Sequence, residues 1–186
     1  MTPQPRFRTV LIDPPWPARG SGKIKRGAQR HYPLLKLDEM ELTIRGCPHW
    51  AELHYCAHCY LWTTNTYVMA AGALLEDLGF RYITKVTWAK KHAGIGQYFR
   101  GQTEDLLFGV RGPGKHPSVC TDRRDLPTLV IADHVRDARG CRVHSAKPEV
   151  FRELVEKRSK GPYLELFART QRPGWTAWGN ADDLLT

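Results

Sequence analysis

The stretch FRTVLIDPPW, from Phe7 to Trp16, decides the fold that the sequence predicts. Its first part, Phe7 to Asp13, is rich in aliphatic and β-branched residues, which predicts a buried strand. The prolines at positions 14 and 15 fix φ and lack an N–H, so the strand stops abruptly at Asp13. In parallel sheets ligands bind where strands end, so the residues that follow this strand are candidates for function.

Strand and helix patterns alternate through the rest of the chain. We expect strands at Ala57 to Thr63, Arg81 to Trp88, Glu104 to Val110, Leu126 to Ala132 and Tyr163 to Ala168. We expect helices at Leu37 to Ile44, at Thr66 to Leu78 with Asn65 as N-cap and Gly79 as C-cap, and from Pro148 to near Lys157 and Arg158. This alternation predicts an α/β fold: a mostly parallel sheet with helices on both faces.

Length and composition favour a single globular domain over residues 1–186. Hydrophobic residues make up 41% of the chain, and no apolar stretch reaches the roughly 18 to 20 residues of a membrane-spanning helix. The chain has 28 lysines and arginines against 19 acidic residues, a net charge of +9, which favours an anionic partner and most commonly nucleic acid. We expect a soluble, cytoplasmic protein with no membrane contact and no obligate protein partner.

One short segment is rich in cysteine and histidine. It contains Cys47, His49, His54, Cys56, His58 and Cys59. A structural zinc site pairs its ligands at two places, whereas this segment has a single CxxC and no distal pair. The segment also runs into apolar residues, so we interpret it as the beginning of a buried strand, and we expect no metal and reduced thiols.

The prolines after Asp13 have a chemical consequence. Because they fix the backbone, the carbonyl of Pro14 and the carboxylate of Asp13 are able to face one point. Two acceptors at one point match the two N–H donors of an exocyclic amino group, whose nitrogen they would orient toward an electrophile. A rigid proline turn with an exposed aspartate is the alternative, which a tripeptide by itself does not exclude.

The chain resembles the MT-A70 family of adenine amino-methyltransferases through motifs that occur in the same order. Asp13 to Trp16 matches the family's DPPW, and His31 to Met40 is similar to its HYPxxxxDEI block. Further matching segments are LWTTNT (61–66), KVTWAK (85–90), TEDLLFGVRG (103–112), HSAKPE (144–149) and LELFARTQRPGWTAWGN (164–180). The resemblance covers almost the whole chain and implies a Rossmann-like methyltransferase that uses S-adenosylmethionine (SAM).

The resemblance also implies roles for individual residues. The catalytic corner would be Asp13, Pro14, Pro15 and Trp16, the target base would pack on Tyr32 or Trp16, and SAM would contact Asp13, Lys147, Arg169, Gln171 and Asn180. Gln171 stands where family members often carry histidine or asparagine, and Ala181 where they often carry an amide or an acid. The chain has no GxGxxG turn after a strand, which agrees with a cofactor that lacks a pyrophosphate.

Basic residues are concentrated in the loops that follow the predicted strands. Those we expect to contact nucleic acid are Arg19, Lys23, Lys25, Arg26, Arg30, Lys90, Lys91 and Arg100. Phosphate contact is the functional interpretation of these loops, and a solvated basic surface is the alternative.

The sequence therefore predicts a SAM-dependent enzyme that methylates the 6-amino group of adenine in DNA. Direct transfer needs no covalent enzyme intermediate, so none of the five cysteines has a catalytic role in this hypothesis. The alternatives are the same reaction on RNA adenosine, a catalytically silent subunit that binds nucleic acid, and methylation of another amine or amide such as cytosine or glutamine.

Overall fold

The computed structural model describes residues 6–17, 37–94, 98–113, 119–143 and 146–179. Its strands are β1 (Phe7–Ile12), β2 (Leu53–Thr64), β3 (Arg81–Ala89), β4 (Thr103–Arg111), β5 (Leu129–Ile131), β6 (Tyr163–Leu166) and β7 (Trp175–Trp178). Its α-helices are α1 (Leu37–Arg45), α2 (Val68–Asp77) and α3 (Glu149–Arg158), and a 3-10 helix spans Pro48–Glu52.

The seven strands form one sheet in the order β5-β3-β4-β2-β1-β6-β7. Four neighbouring pairs are parallel, and β4 runs antiparallel to both of its neighbours, β2 and β3. A parallel connection needs a crossover of a dozen or more residues, usually through a helix, whereas the described residues between β3 and β4 contain no helix. The predicted mostly parallel sheet is confirmed, with β4 as its antiparallel member.

Helices cover both faces of the sheet, as predicted. Met40 of α1 and Leu75 of α2 share a buried core with Val10 of β1. Leu11, the next residue of β1, points to the other face and packs in a second core with Phe151 of α3. Because adjacent strand residues alternate between the faces, β1 serves both cores and is buried at its centre.

Several predicted boundaries differ from the structure. Strand β2 begins at Leu53, before the predicted start at Ala57, and β7 was not predicted. Asn65 does not cap α2: the residue before that helix is Tyr67, and the Asn65 side-chain oxygen instead accepts a hydrogen bond from Thr103. Gly79 does follow α2, with φ of 86°, a conformation that glycine adopts without strain.

The cysteine- and histidine-rich segment is divided between the 3-10 helix and β2. Cys59 lies in the core beneath α1 and α2, where burial raises the pKa of its thiol. His58 has its ring on the opposite face, bonded through Nδ1 to Ser159. Among the described residues no three His, Cys, Asp or Glu side chains are grouped to hold a metal ion. Within the same residues no helix is both long and apolar enough to cross a membrane.

We expect His58 to make the stability of the protein depend on pH. Burial, and secondarily the charge of Arg158, lowers the pKa of His58 from 6.5 to about 4. As the pH falls below 6.5, His58 is protonated in the unfolded chain but stays neutral in the folded chain. The contribution of His58 to the free energy of unfolding is therefore fully present above pH 6.5 and is lost as the pH falls toward 4. The free energy of unfolding should fall by about 3 kcal/mol over this range. Urea unfolding of wild type and His58→Gln across this range measures it, and equal pH slopes would contradict the prediction.

Candidate active site at the carboxyl edge of the sheet

The carboxyl ends of the parallel strands collect charged side chains at one edge of the sheet. Asp13 follows β1, Lys90 follows β3 and Arg169 lies just beyond β6. Glu104 reaches the same edge from the beginning of β4, because that strand is antiparallel. Lys147 comes to it from the segment that leads into α3.

The centre of this cluster is an ion pair between Asp13 and Lys147. The Nζ atom of Lys147 lies 2.8 Å from each carboxylate oxygen of Asp13, 3.6 Å from Glu104 Oε2 and 5.2 Å from the centre of the Trp62 ring. Burial by itself would lower the pKa of Lys147, but the charges of Asp13 and Glu104 outweigh that effect and raise it above its usual value. Lys147 is therefore a cation that holds the Asp13 carboxylate by both oxygens.

Glu104 joins this pair to a second lysine. Its Oε1 accepts a hydrogen bond from Lys90, whose ammonium group also lies 4.8 Å above the Trp88 ring. Burial favours the protonated acid, yet the two neighbouring lysines together lower the pKa of Glu104. Asp13, Lys147, Glu104 and Lys90 thus form a chain of alternating acidic and basic side chains in a partly buried place.

The two prolines form a compact turn that is fastened to the end of β2. Pro14 is buried, and its carbonyl accepts a hydrogen bond of 2.9 Å from the backbone N–H of Trp16. The Trp16 indole stacks on Tyr67 at 5.4 Å and donates its Nε1–H to the carbonyl of Trp62 at 2.8 Å. Among the described residues the Trp16 N–H is the backbone donor to this carbonyl, and a carbonyl oxygen is able to accept two hydrogen bonds.

We expect Trp16→Phe to loosen this turn. Phenylalanine preserves a ring against Tyr67 but leaves the carbonyl of Trp62 without its donor, which should cost about 1 kcal/mol of unfolding free energy. Trp16→Ala, which also removes the stacked ring, should cost more. Urea unfolding compares the variants, and a Trp16→Phe protein as stable as wild type would show that the indole N–H does not fasten the turn.

The residues predicted to contact SAM differ in their relation to this charge cluster. Lys147 lies at its centre, and the exposed Arg169 is close enough for its charge to oppose the raised pKa of Lys147. Gln171 lies further along the chain, where its side-chain amide donates to the carbonyl of Trp175. Asn180 lies outside the described residues, as does Ala181.

The residues predicted to contact the base and the nucleic acid are described only in part. Those outside the described residues are Tyr32, Arg19, Lys23, Lys25, Arg26 and Arg30. Lys91 is exposed and pairs with Asp133, and Arg100 is exposed and donates to backbone carbonyls. Lys90 is less exposed than these two residues: its side chain is only 12% exposed and forms an ion pair with Glu104.

Sequence reasoning missed Glu104 and the aromatic supports Trp62 and Tyr67. Glu104 begins a predicted strand, which in a parallel sheet would place it at the edge remote from Asp13. The absence of a helical pattern between β3 and β4 was the signal that β4 is antiparallel. The contacts of Trp62 and Tyr67 depend on residues distant in sequence, and no local pattern indicates them.

The sheet, with its helices on both faces and its charged carboxyl edge, defines a Rossmann-like methyltransferase fold. The chain belongs to the MT-A70 family, whose model matches residues 7–181, and the predicted resemblance is thereby confirmed.

Named relatives of this chain include an adenine-specific methyltransferase, a type II methyltransferase and an RNA methyltransferase. The human N(6)-adenine-specific methyltransferase METTL4 is 45% identical over 198 residues, which cover 94% of this chain and 37% of that protein. The type II methyltransferase M.MunI of Mycoplasma sp is 26% identical over 202 residues, covering 95% of this chain and 78% of that one. The N6-methyladenosine RNA methyltransferase MTA1 of Cryphonectria parasitica is 26% identical over 191 residues, covering 95% of this chain and 52% of that one. This chain therefore spans about half of MTA1 and less of METTL4.

Proposed function

We propose that this chain is a SAM-dependent methyltransferase that modifies the 6-amino group of adenine in DNA. The observation that carries the proposal is the Asp13 carboxylate, held by both oxygens on Lys147 beside the buried Pro14 turn. In this proposal the Asp13 carboxylate and the Pro14 carbonyl act as two neighbouring acceptors just after β1, at the edge of the sheet where α/β proteins bind ligands. Membership of the MT-A70 family supports adenine as the base.

The charged groups at this edge fit the chemistry of SAM. The amino-acid end of SAM carries an ammonium and a carboxylate, and the edge offers side chains of both signs. Asp13 suits the ammonium group, whereas Lys147 and Arg169 suit the carboxylate. We therefore assign Asp13, Lys147 and Arg169 to the cofactor, with Gln171 and Asn180 retained from the family resemblance.

The chemical work of the protein in this proposal is to position a weak nucleophile. When bound, SAM supplies an electrophilic methyl group on its sulfonium. The Asp13 carboxylate accepts one N–H of the adenine amino group, and the Pro14 carbonyl accepts the other. Orientation of this kind contributes roughly 7 to 11 kcal/mol to a two-substrate reaction. In this proposal Asp13 also accepts the proton that the amine loses on methylation.

The net charge of the chain supports nucleic acid as the substrate polymer, and the names of two relatives favour DNA as our choice. The net charge of +9 favours a polyanion. M.MunI is named as a type II methyltransferase, and METTL4 is named as adenine-specific. An adenine inside a duplex has no access to a closed amino-group site, so we propose a single-stranded or flipped-out adenine.

Incubation with SAM labelled in its methyl group tests the choice of polymer. Purified protein is given single-stranded DNA, duplex DNA and RNA of the same sequence, and the label retained by each polymer is counted. We expect label in DNA. Label in RNA alone would overturn the choice of DNA.

The second candidate is the same reaction on RNA adenosine. It is favoured by the fungal relatives, because MTA1 of Cryphonectria parasitica and MTA1 of Pyricularia oryzae are both named RNA methyltransferases. The RNA arm of the same experiment tests it directly.

A further inference from the structure

The described residues of the connection between β3 and β4 lie at the carboxyl edge of the sheet, since they follow the end of β3. We call these residues, 90–94 and 98–102, the β3-β4 arm. Its two sides are joined by backbone hydrogen bonds from Lys90 to Gln102 at 2.9 Å and from Gly94 to Gly101 at 2.7 Å. The Arg100 guanidinium also donates across the arm, to the Gly94 carbonyl at 3.1 Å. These bonds hold the two sides of the arm together.

Two adjacent aromatic side chains are open to solvent on this arm. Tyr98 is 93% exposed and Phe99 is 91% exposed, which makes them the most exposed large hydrophobic residues in the described part of the chain. Removal of such rings from water is favourable, so their exposure leaves a binding free energy available to a partner. Exposed apolar groups of this kind mark interaction surfaces.

The position of the arm connects this surface to the proposed active site. Lys90 stands at the base of the arm and pairs with Glu104, which lies 3.6 Å from Lys147. Lys147 in turn holds Asp13. The aromatic pair therefore belongs to the loop that contributes a residue to the charge cluster, and not to a remote surface.

The charge of the arm indicates the chemistry of its partner. Residues 90–102 contain three cations and not one aspartate or glutamate. Lys90 and Lys91 are paired with Glu104 and Asp133, whereas the exposed guanidinium of Arg100 donates to neutral backbone carbonyls and gives the arm a positive charge beside the two rings. Cations that follow a phosphate backbone, together with aromatic rings on which bases stack, are the features by which proteins bind single-stranded nucleic acid. Stacking also suits a base that lies beside a flipped-out target, because that base has lost a stacking partner.

We infer that Tyr98 and Phe99 stack on the nucleobases of single-stranded DNA that flank the target adenine. The inference rests on the proposed function and adds to it the contact that holds the substrate strand. In this arrangement Asp13 and Pro14 bind the amino group of the target adenine, and the two rings bind the neighbouring bases.

The test compares the affinity of variants for a fluorescein-labelled single-stranded DNA oligonucleotide with one central adenine, by fluorescence anisotropy. Tyr98→Ala combined with Phe99→Ala should raise Kd about ten-fold or more, since each base-aromatic stack is substantial. A variant with the rings exchanged, Tyr98→Phe with Phe99→Tyr, retains both rings and should bind like wild type. Tyr55→Ala removes a 67% exposed ring from the beginning of β2 and is the matched control, with Kd unchanged.

Separate readouts keep this inference distinguishable from the proposed function. Calorimetry with SAM should give the same affinity for wild type and the double alanine variant, and a large loss there would overturn the inference by showing a structural role. A double variant that binds the oligonucleotide like wild type, while wild type methylates DNA, would overturn the inference alone. A wild-type protein that neither binds nor methylates DNA would overturn both. If the double alanine variant lost binding to anionic lipid vesicles but bound DNA with the wild-type Kd, the rings would belong to a membrane-binding surface. That result would overturn the inference.

Discussion

Replacement of Asp13 by asparagine is expected to lower the rate of methyl transfer about 100-fold with little change in the folded structure. Asparagine has the same shape, but it removes the negative charge that accepts the adenine N–H, and hydrogen bonds to charged groups are worth about 1.5 to 3 kcal/mol. The variant also leaves Lys147 with one fewer anionic partner. Steady-state kinetics with saturating SAM and DNA measure the change.

Asp133→Asn is the matched control for that variant. Asp133 lies just beyond β5 and pairs with Lys91 at 2.7 Å, so it is also a strand-end aspartate bound to a lysine, but both side chains are more than half exposed. The rate of this control should stay within about two-fold of wild type, because exposed pairs contribute little. Equal rates for Asp13→Asn and wild type would contradict the role given to Asp13.

Replacement of Lys147 by methionine is expected to reduce both activity and stability. Methionine fills a similar volume but leaves the Asp13 and Glu104 carboxylates facing each other without the cation between them. The free energy of unfolding should fall by about 1 to 3 kcal/mol, and methyl transfer by about 100-fold because Asp13 loses its orientation. The pKa of Glu104 should rise, since Lys147 is one of the two lysines that lower it.

Lys91→Met provides the comparison for the lysine. It removes a cation from an equally short ion pair at the surface, so its unfolding free energy should change by no more than about 0.5 kcal/mol. Urea unfolding at neutral pH compares the two variants. If Lys147→Met and Lys91→Met lost the same unfolding free energy, the partly buried charge cluster would have no special part in the stability of the site.

The strands and helices that build the site were predictable because each has a strong local pattern. Phe7 to Asp13 is apolar and ends at two prolines, and the last helix, predicted to have Pro148 as its first residue, begins at Glu149 with Pro148 as its N-cap. The location of Asp13 at the carboxyl edge followed from the parallel orientation of β1. These predictions needed only neighbouring residues and the general rule for ligand sites in parallel sheets.

The contacts within the site were less predictable because they join residues far apart in sequence. Asp13 and Lys147 are 134 positions apart, and no periodicity indicates that they meet. Glu104 was assigned to an ordinary strand because its place at the site depends on the direction of β4. Lys90 is predicted to contact phosphate, and the structure adds an ion pair between its ammonium group and Glu104 that no local pattern indicates.

Nucleoside mass spectrometry tests the central claim most directly. A DNA oligonucleotide that contains all four bases is incubated with the protein and with SAM whose methyl group carries deuterium, and is then digested to nucleosides. We predict that N6-methyladenine alone carries the deuterated methyl group with wild type, and that it is strongly reduced with Asp13→Asn. A deuterated methyl group on cytosine, or no methylated nucleoside from wild-type protein that binds SAM, would contradict it.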